Sequence, residues 1–398
     1  MMKSLKNLKV TSNHKILLVV VGVIVLILAF SYFHLGKNIE GMEGAAEIEL
    51  EQITTSGPNY ISSVDFSTDG SILAYGSVAD QKAYIINPED GSTINSFKYD
   101  GPARRVAITP NKKYLVVAGN SKLNILDIET GGALVKAQSV GGIHTIAVDP
   151  SGSYLVVGGN SVNCYNINES INSGTFKLMW SETYGKYESN HHIYSVAITD
   201  DSHSVIVGSK DQYMRVLDLE TGNIKRTSER FWGKPTAVGI NPYRPSAGKY
   251  VFSVAVQQYG KKRNVLILYE FDVTTNNLTR TKNIIHNTPR AMRDIKFLNN
   301  KYLVTGGDNA KLSFYNISTG KLVKNIDMGT FIYSFDLNSP NENKLAIGNY
   351  KTKLGLYNII LASDYESGTG TGSGGGSGGG SQDISALPEV SPQHNMFL

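Results

Sequence analysis

The sequence predicts an all-β fold, a seven-bladed β-propeller of four-stranded antiparallel blades preceded by a single transmembrane α-helix. Three observations carry that expectation. A charge-free apolar run lies near the N-terminus, a self-similar unit recurs through the middle of the chain, and the last copy of that unit is one strand short.

The apolar run comes first. From Ile16 to Phe33 the chain reads ILLVVVGVIVLILAFSYF. Its length of about 18 residues, at ~1.5 Å per residue, roughly spans a ~30 Å hydrocarbon layer. Lys3, Lys6, Lys9 and Lys15 precede the run, and Glu40, Glu43, Glu47, Glu49 and Glu51 follow it. The positive-inside bias then puts the N-terminus in the cytoplasm and everything after Phe33 outside, with the lipid bilayer as the partner of Ile16 to Phe33. A cleaved signal peptide is the competing reading. Its apolar core is shorter and ends in small residues, whereas this run ends in SYFHLG. The expected layout is a basic cytoplasmic segment at 1–15, the signal-anchor helix at 16–34, a linker at 35–45, the propeller at 46–361, a Gly/Ser-rich linker at 362–382 and a tail at 383–398.

The repeat follows. Each copy has an apolar pair at i and i+2, a turn, a second strand ending in small residues, and a third strand ending in Asn or Asp. The clearest copies start at Val106 (VAITPNKKYLVVAGNSKLNILDIETG), Ile146 and Val196, with weaker ones at Val64, Val238, Ile295 and Phe335. About seven units at roughly 40- to 57-residue spacing match four-stranded propeller blades, which bury their faces only by stacking on neighbours. Turn clusters such as Ser67-Thr68-Asp69-Gly70 and Glu129-Thr130-Gly131 separate the strands.

Closure is argued from the shortage. After Lys353 to Ile360 the chain turns polar and Gly-rich, so the last blade has only three strands of its own. The orphan stretch Ile48 to Thr54 is expected to supply the fourth and remove an exposed edge.

On these residues the units resemble WD-repeat and related YVTN-type propeller repeats over roughly Ala46 to Leu361. Leu126-Asp127 and Leu217-Asp218 stand where that family has its Trp-Asp pair, and Asn87, Asn166, Asn316 and Asn358 replace the acid elsewhere. No tryptophan occupies the pair and the family's Gly-His dipeptide is missing. The resemblance implies a propeller and, as a family tendency, an interaction platform.

Composition narrows the function. A formal net charge of +4 gives no nucleic-acid footprint. The single cysteine, Cys164, excludes an intrachain disulfide and a Cys-rich zinc site. No phosphate loop, dinucleotide fingerprint, zinc-protease helix or nucleophile elbow occurs, so no catalytic residue, cofactor or metal ligand is expected. The adjacent His191 and His192 would point to opposite faces of a strand and share no ion, which leaves them in a solvated loop.

Two candidate contact regions stand out. The position two residues before the first apolar residue of each inner strand reads Ser62, Arg104, His144, Tyr194, Thr236, Arg293 and Tyr333. With Arg105 and Arg290 nearby, these side chains are expected at one mouth of the channel as a binding site for an anionic group; the plainer reading is a ring of solvated loop ends. In the fifth blade the connections at 241–250 and 257–264 look longer than their counterparts. They offer Tyr243, Arg244, Tyr259, Lys261, Lys262 and Arg263 as a loop contact, against plain surface. Asn168, Asn277 and Asn316 head Asn-x-Ser/Thr triplets, glycosylation acceptors if the domain lies outside the cell.

The expected function is a membrane-anchored scaffold that binds a protein partner on the extracytoplasmic side. Two alternatives stand beside it. One is a quinone-dependent dehydrogenase or lyase using the channel, which the absorbance and metal content of purified protein would reveal. The other is a cytosol-facing WD-repeat adaptor, which protease accessibility in intact cells would reveal.

Overall fold

A computed structural model describes residues 48–136, 140–185, 192–261, 263–350 and 353–361. The anchor run, its flanks and the Gly/Ser tail lie outside them. Among the described residues no helix is long and apolar enough to cross a membrane. The described residues form twenty-eight strands, β1 to β28 in chain order, in seven four-stranded antiparallel sheets, and six of the seven are simple meanders.

The seventh sheet is the exception, and it closes the ring. Its order is β1 (Ile48–Ser56), β28 (Leu354–Leu361), β27 (Lys344–Asn349), β26 (Ile332–Leu337), so the first described strand becomes the outer strand of the last blade. Ile48 pairs with Leu361 and Ser56 with Leu354. This is the strand exchange expected from the missing fourth strand. Ile48 is buried among Leu345, Ile347 and Ile359, which ties the pairing to a hydrophobic core.

The Asn or Asp at the end of a third strand has a local job in several blades. Asp127 Oδ1 accepts a hydrogen bond from Thr130 N at 2.7 Å, Asp218 Oδ1 from Thr221 N at 2.9 Å and Asn316 Oδ1 from Thr319 N at 2.9 Å. The turn then closes through Gly131, Gly222 and Gly320, all at positive φ, whose N–H groups reach back to the carbonyl of the same Asn or Asp. Only an acceptor oxygen is needed, so Asn replaces Asp freely. At Asn166 the same acceptor caps a helix instead. Helix α1 (Ile167–Ser173) starts with Asn166 accepting from Glu169 N and stops at Gly174 in the left-handed region. Asn166 and Glu169 have capping-box spacing.

Small residues at the end of the second strand let blades approach. A Cβ on Gly76 would lie 2.6 Å from the Ala103 carbonyl of the next blade, and one on Gly348 would lie 3.0 Å from that of Ile61. Between the sheets sit seven apolar clusters, which supply the burial that a single blade lacks. Cys164 lies in one of them, and burial pushes its thiol up to about 12, as expected of an inert core residue.

Blade five corrects an expectation. The connection after Ile240 is the longer loop expected, running to Gly248, but the extra residues also extend the strands: β19 (Lys249–Gln258), β20 (Asn264–Asp272) and β21 (Asn277–His286) have 10, 9 and 10 residues. Pairing continues to Gln257↔Asn264, inside the segment read as a loop.

Candidate functional site

The inner strands are β2 (Ile61–Phe66), β6 (Arg105–Ile108), β10 (Ile143–Val148), β14 (Ile193–Ile198), β18 (Gly233–Ile240), β22 (Met292–Leu298) and β26. In six of the seven the pairing register slips near the start of the strand. The residue skipped by the ladder is Ser62, His144, Tyr194, Thr236, Arg293 or Tyr333. These are six of the seven ring positions singled out in the sequence, and each is the extra residue of a β-bulge, a device that re-aims a side chain.

Four of these bulge residues, His144, Tyr194, Arg293 and Tyr333, line a channel cavity of about 320 Å³ together with Arg105. Ser62 is buried and donates to the carbonyls of Ala103 and Arg104. Thr236 is half-buried, with its hydroxyl 3.5 Å from the Ala255 carbonyl. In blade two it is Arg105, not Arg104, that reaches the cavity wall; Arg104 stands beside it with its Nε buried and unbonded. Arg290 sits outside the channel, in a lateral groove with its guanidinium 5.9 Å from the Phe331 ring centre.

The mouth is aromatic and cationic. Tyr333 stacks on Tyr60 with ring centres 5.4 Å apart, and Tyr350 meets Tyr60 edge-on at 5.1 Å. Arg293 lies 5.0 Å over Tyr333 and Lys234 5.4 Å over Tyr194. His192, expected in a solvated loop, instead joins the girdle across the blade boundary, with His144 Nε2 3.4 Å from its Nδ1. Burial, then His192 and Arg105, hold His144 below the ordinary histidine value, which favours its neutral form at pH 7. His191 lies outside the described residues.

Arg105 spans three blades, donating to the carbonyls of Ser62, Arg104 and His144 at 3.1, 2.8 and 2.6 Å. Burial brings its guanidinium down to about 10, with Asp294 opposing the shift and Arg293 and Arg104 adding to it.

Deeper in the channel lies a polar set that the sequence reading missed. Asp65, Asp294 and Asp336 each accept from a backbone N–H of the next blade: Ile108 at 2.6 Å, Phe335 at 3.1 Å and Phe66 at 2.8 Å. Ser63 and Ser195 do the same for Val106 at 3.2 Å and Val238 at 3.0 Å. The inner strand is an edge strand, and these contacts satisfy N–H groups that the ladder leaves open. Lys296 Nζ lies 2.8 Å from Asp336. Burial, then Asp336, pushes the Asp65 carboxyl up to about 8, and burial raises Asp294. Burial opposes the charge of Lys296, but Asp336, Asp294 and Asp65 outweigh it and raise its pKa. A serine or acid recurring at i+1 and i+3 from the bulge position was the available signal.

The blade-five candidates divide between two faces. Successive hairpins of a meander lie at opposite ends, and Gly233, at the mouth end of β18, pairs with Gln258. Tyr259, Lys261 and Arg263 are therefore on the mouth face, while Tyr243 and Arg244 are on the opposite one. Arg244 grips Asp200 of blade four, with Nε 2.9 Å from both carboxylate oxygens. Lys262 lies outside the described residues. Beside Tyr259 stands Trp232, 73 % exposed and absent from the sequence-based set; Tyr259 N donates to its carbonyl at 3.2 Å. Arg230, Arg263 and Ile285 share a groove with it. Asn168 is exposed on α1, Asn277 is exposed at the start of β21, and Asn316 is half-buried with its side chain engaged in its own turn.

Among the described residues no group of three or more His, Cys, Asp or Glu side chains is placed to hold a metal ion. Comparison of the chain with protein-family models and with curated proteins returned no match.

Proposed function

We propose that the chain is a membrane-held binding platform that offers the mouth face of its propeller to a protein partner on the extracytoplasmic side. The observation that carries this reading is the polarity of the ring. The described chain begins at Ile48 and ends at Leu361, which pair with each other on the face opposite the mouth. An anchor in residues 16–34 would therefore join the back face and leave the mouth pointing away from the bilayer.

The composition of the mouth face supports the same reading. Trp232, Tyr259, Arg230 and Arg263 are the residue types that dominate binding hot spots, and an exposed tryptophan has no folding rationale. The ring is rigid, so it can present such a surface without ordering it on binding.

Crosslinking and pulldown from native membranes, with protease accessibility to fix the side, test the proposal. Replacing Trp232 and Tyr259 together by Ala is expected to reduce partner recovery at least tenfold, while Tyr243→Ala on the back face leaves it unchanged. The reverse pattern sinks the reading.

A further inference from the structure

The mouth carries positive charge that the fold balances only in part, through Asp294 and Asp308. Among the described residues, Arg104, Arg105, Lys210 and Lys234 have no carboxylate within ion-pair distance, whereas Arg293 is paired with Asp308. The cations also oppose one another: Arg105 is disfavoured by burial and then by Arg293 and Arg104, against the pull of Asp294, and Lys234 by burial and then by Lys210 and Arg293, against Asp308. Arg104 Nε is a buried donor without an acceptor. Cations gathered around a concave site favour an anion, whose binding would relieve the mutual repulsion.

The aromatic groups narrow the ligand further. Tyr333 is stacked on Tyr60 and covered by Arg293, and Tyr194 is stacked on His192 and covered by Lys234. With their ring faces engaged, these residues offer hydroxyls rather than stacking platforms, which disfavours a nucleobase and suits a ligand rich in hydroxyl groups. The cavity of about 320 Å³ falls in the small-ligand range of ~300–1,000 Å³.

We infer that the channel mouth binds an acidic sugar unit, with its carboxylate or phosphate drawn to Arg105 and Arg293 in the field of the adjacent Arg104 and Lys234, and its hydroxyls met by Tyr194, Tyr333 and His144. The unit comes either from a free sugar acid or sugar phosphate or from the end of an anionic glycan. The inference rests on the mouth face being the binding face, and it adds the chemistry of what is bound there.

The test uses the full chain in detergent micelles, with calorimetry and melting temperature as readouts. Glucuronate, glucose 6-phosphate, neutral glucose, inorganic phosphate and a glucuronate oligomer are the probes. Glucuronate or glucose 6-phosphate is expected to bind with a Kd of about 1 mM or tighter, glucose at least tenfold more weakly, and added salt to weaken the anions. Arg104→Gln and Lys234→Gln, confirmed as folded by circular dichroism, should each lose about tenfold in affinity. A tenfold preference for the oligomer assigns the source to a glycan end, and its absence to the free sugar; both support the inference. Three results overturn it: glucose binding as well as glucuronate, phosphate alone binding as well as either sugar anion, or no melting shift with any anion at about 20 mM. Partner capture lost in the Trp232 and Tyr259 variant, without any sugar binding, removes this inference and leaves the platform reading standing.

Discussion

The channel wall has two unlike sectors. At the inner-strand position of Asp65, blades six and seven carry Lys296 and Asp336, so blades six, seven and one place three ionisable groups side by side. Blades two to five carry Ala107, Ala147, Ala197 and Gly239 at the same position. The charged sector straddles the joint between the last blade and the first, whose inner strands β26 and β2 are linked only through β1, a strand held to the rest of its blade by hydrogen bonds to β28. There the contacts are directional: Asp336 accepts from Phe66 N across the joint and Ser334 from Val64 N at 3.4 Å. Side-chain acceptors for a neighbour's N–H also occur between blades joined in sequence, as at Ser63, Asp65, Ser195 and Asp294, so what sets the joint apart is the ion pair of Lys296 and Asp336 beside it, where blades two to five have only small side chains.

Close packing in the small sector gives the largest expected effect. A Cβ on Gly239 would stand 2.5 Å from the carbonyl oxygen of Ile295 in blade six, a backbone atom that cannot move alone. Gly239→Val should cost about 3 kcal/mol, read as a lower urea midpoint at unchanged m-value. A neutral result would show that the small sector is loosely filled and that the contrast between sectors is wrong.

Next comes the joint itself. Asp336→Ala leaves Phe66 N without its acceptor and Lys296 without its 2.8 Å partner. The expected loss is about 2 kcal/mol, reduced from that of a fully buried pair because the channel side of Lys296 sees water. Ser195→Ala in the small sector removes one neutral contact to Val238 N and should cost only about 1 kcal/mol. Equal losses in the two variants would erase the distinction.

Much of this architecture could be read in the sequence because it rests on local, repeated chemistry. Turn acceptors such as Asp127 and Asp218 and the strand missing after Ile360 give the blade count and the closing strand. The ring positions were legible too, since each follows a fixed spacing from the apolar pair. What the sequence hid was direction. Whether Arg104 or Arg105 enters the cavity depends on a bulge, and a one-residue slip moves a side chain to the other face. His192 meets His144, and Asp294 meets Phe335 N, through neighbours about 40 residues or more apart, which no local pattern reports. Blade five misled because its extra residues lengthen strands as readily as loops.

A pH titration sharpens the comparison with a smaller effect. Asp65 is raised to about 8 in the fold, so between its unfolded value near 3.8 and about 8 the folded state holds more protons than the unfolded one. Its contribution is fully present below pH ~3.8 and is lost as pH rises through about 8. Asp65→Asn keeps an acceptor for Ile108 N but has no proton to lose. Relative to the native chain, the variant should gain on the order of 1 kcal/mol between pH 5 and 8.5, measured by denaturant unfolding at each pH. A constant difference across that range would mean that Asp65 is ionised throughout.

The smallest expected change in stability is the most informative about why the charges are there. Replacing Asp336 by Asn and Lys296 by Met together removes both charges, and the Asn oxygen can still accept from Phe66 N. Exchanging an ion pair for neutral groups of similar volume is often nearly neutral, so the unfolding free energy should change by less than about 1 kcal/mol. Specificity should suffer instead. If the charged sector tells blade seven which edge to meet, its loss permits β1 to complete the last blade of a second copy, an exchange that conserves every β1 to β28 contact. Size-exclusion chromatography of refolded protein should then show a larger fraction of dimers and higher species than Ser195→Ala does. A fall in stability of about 3 kcal/mol with purely monomeric protein would make the cluster a source of cohesion rather than of register, and the two sectors would then differ in strength and not in kind.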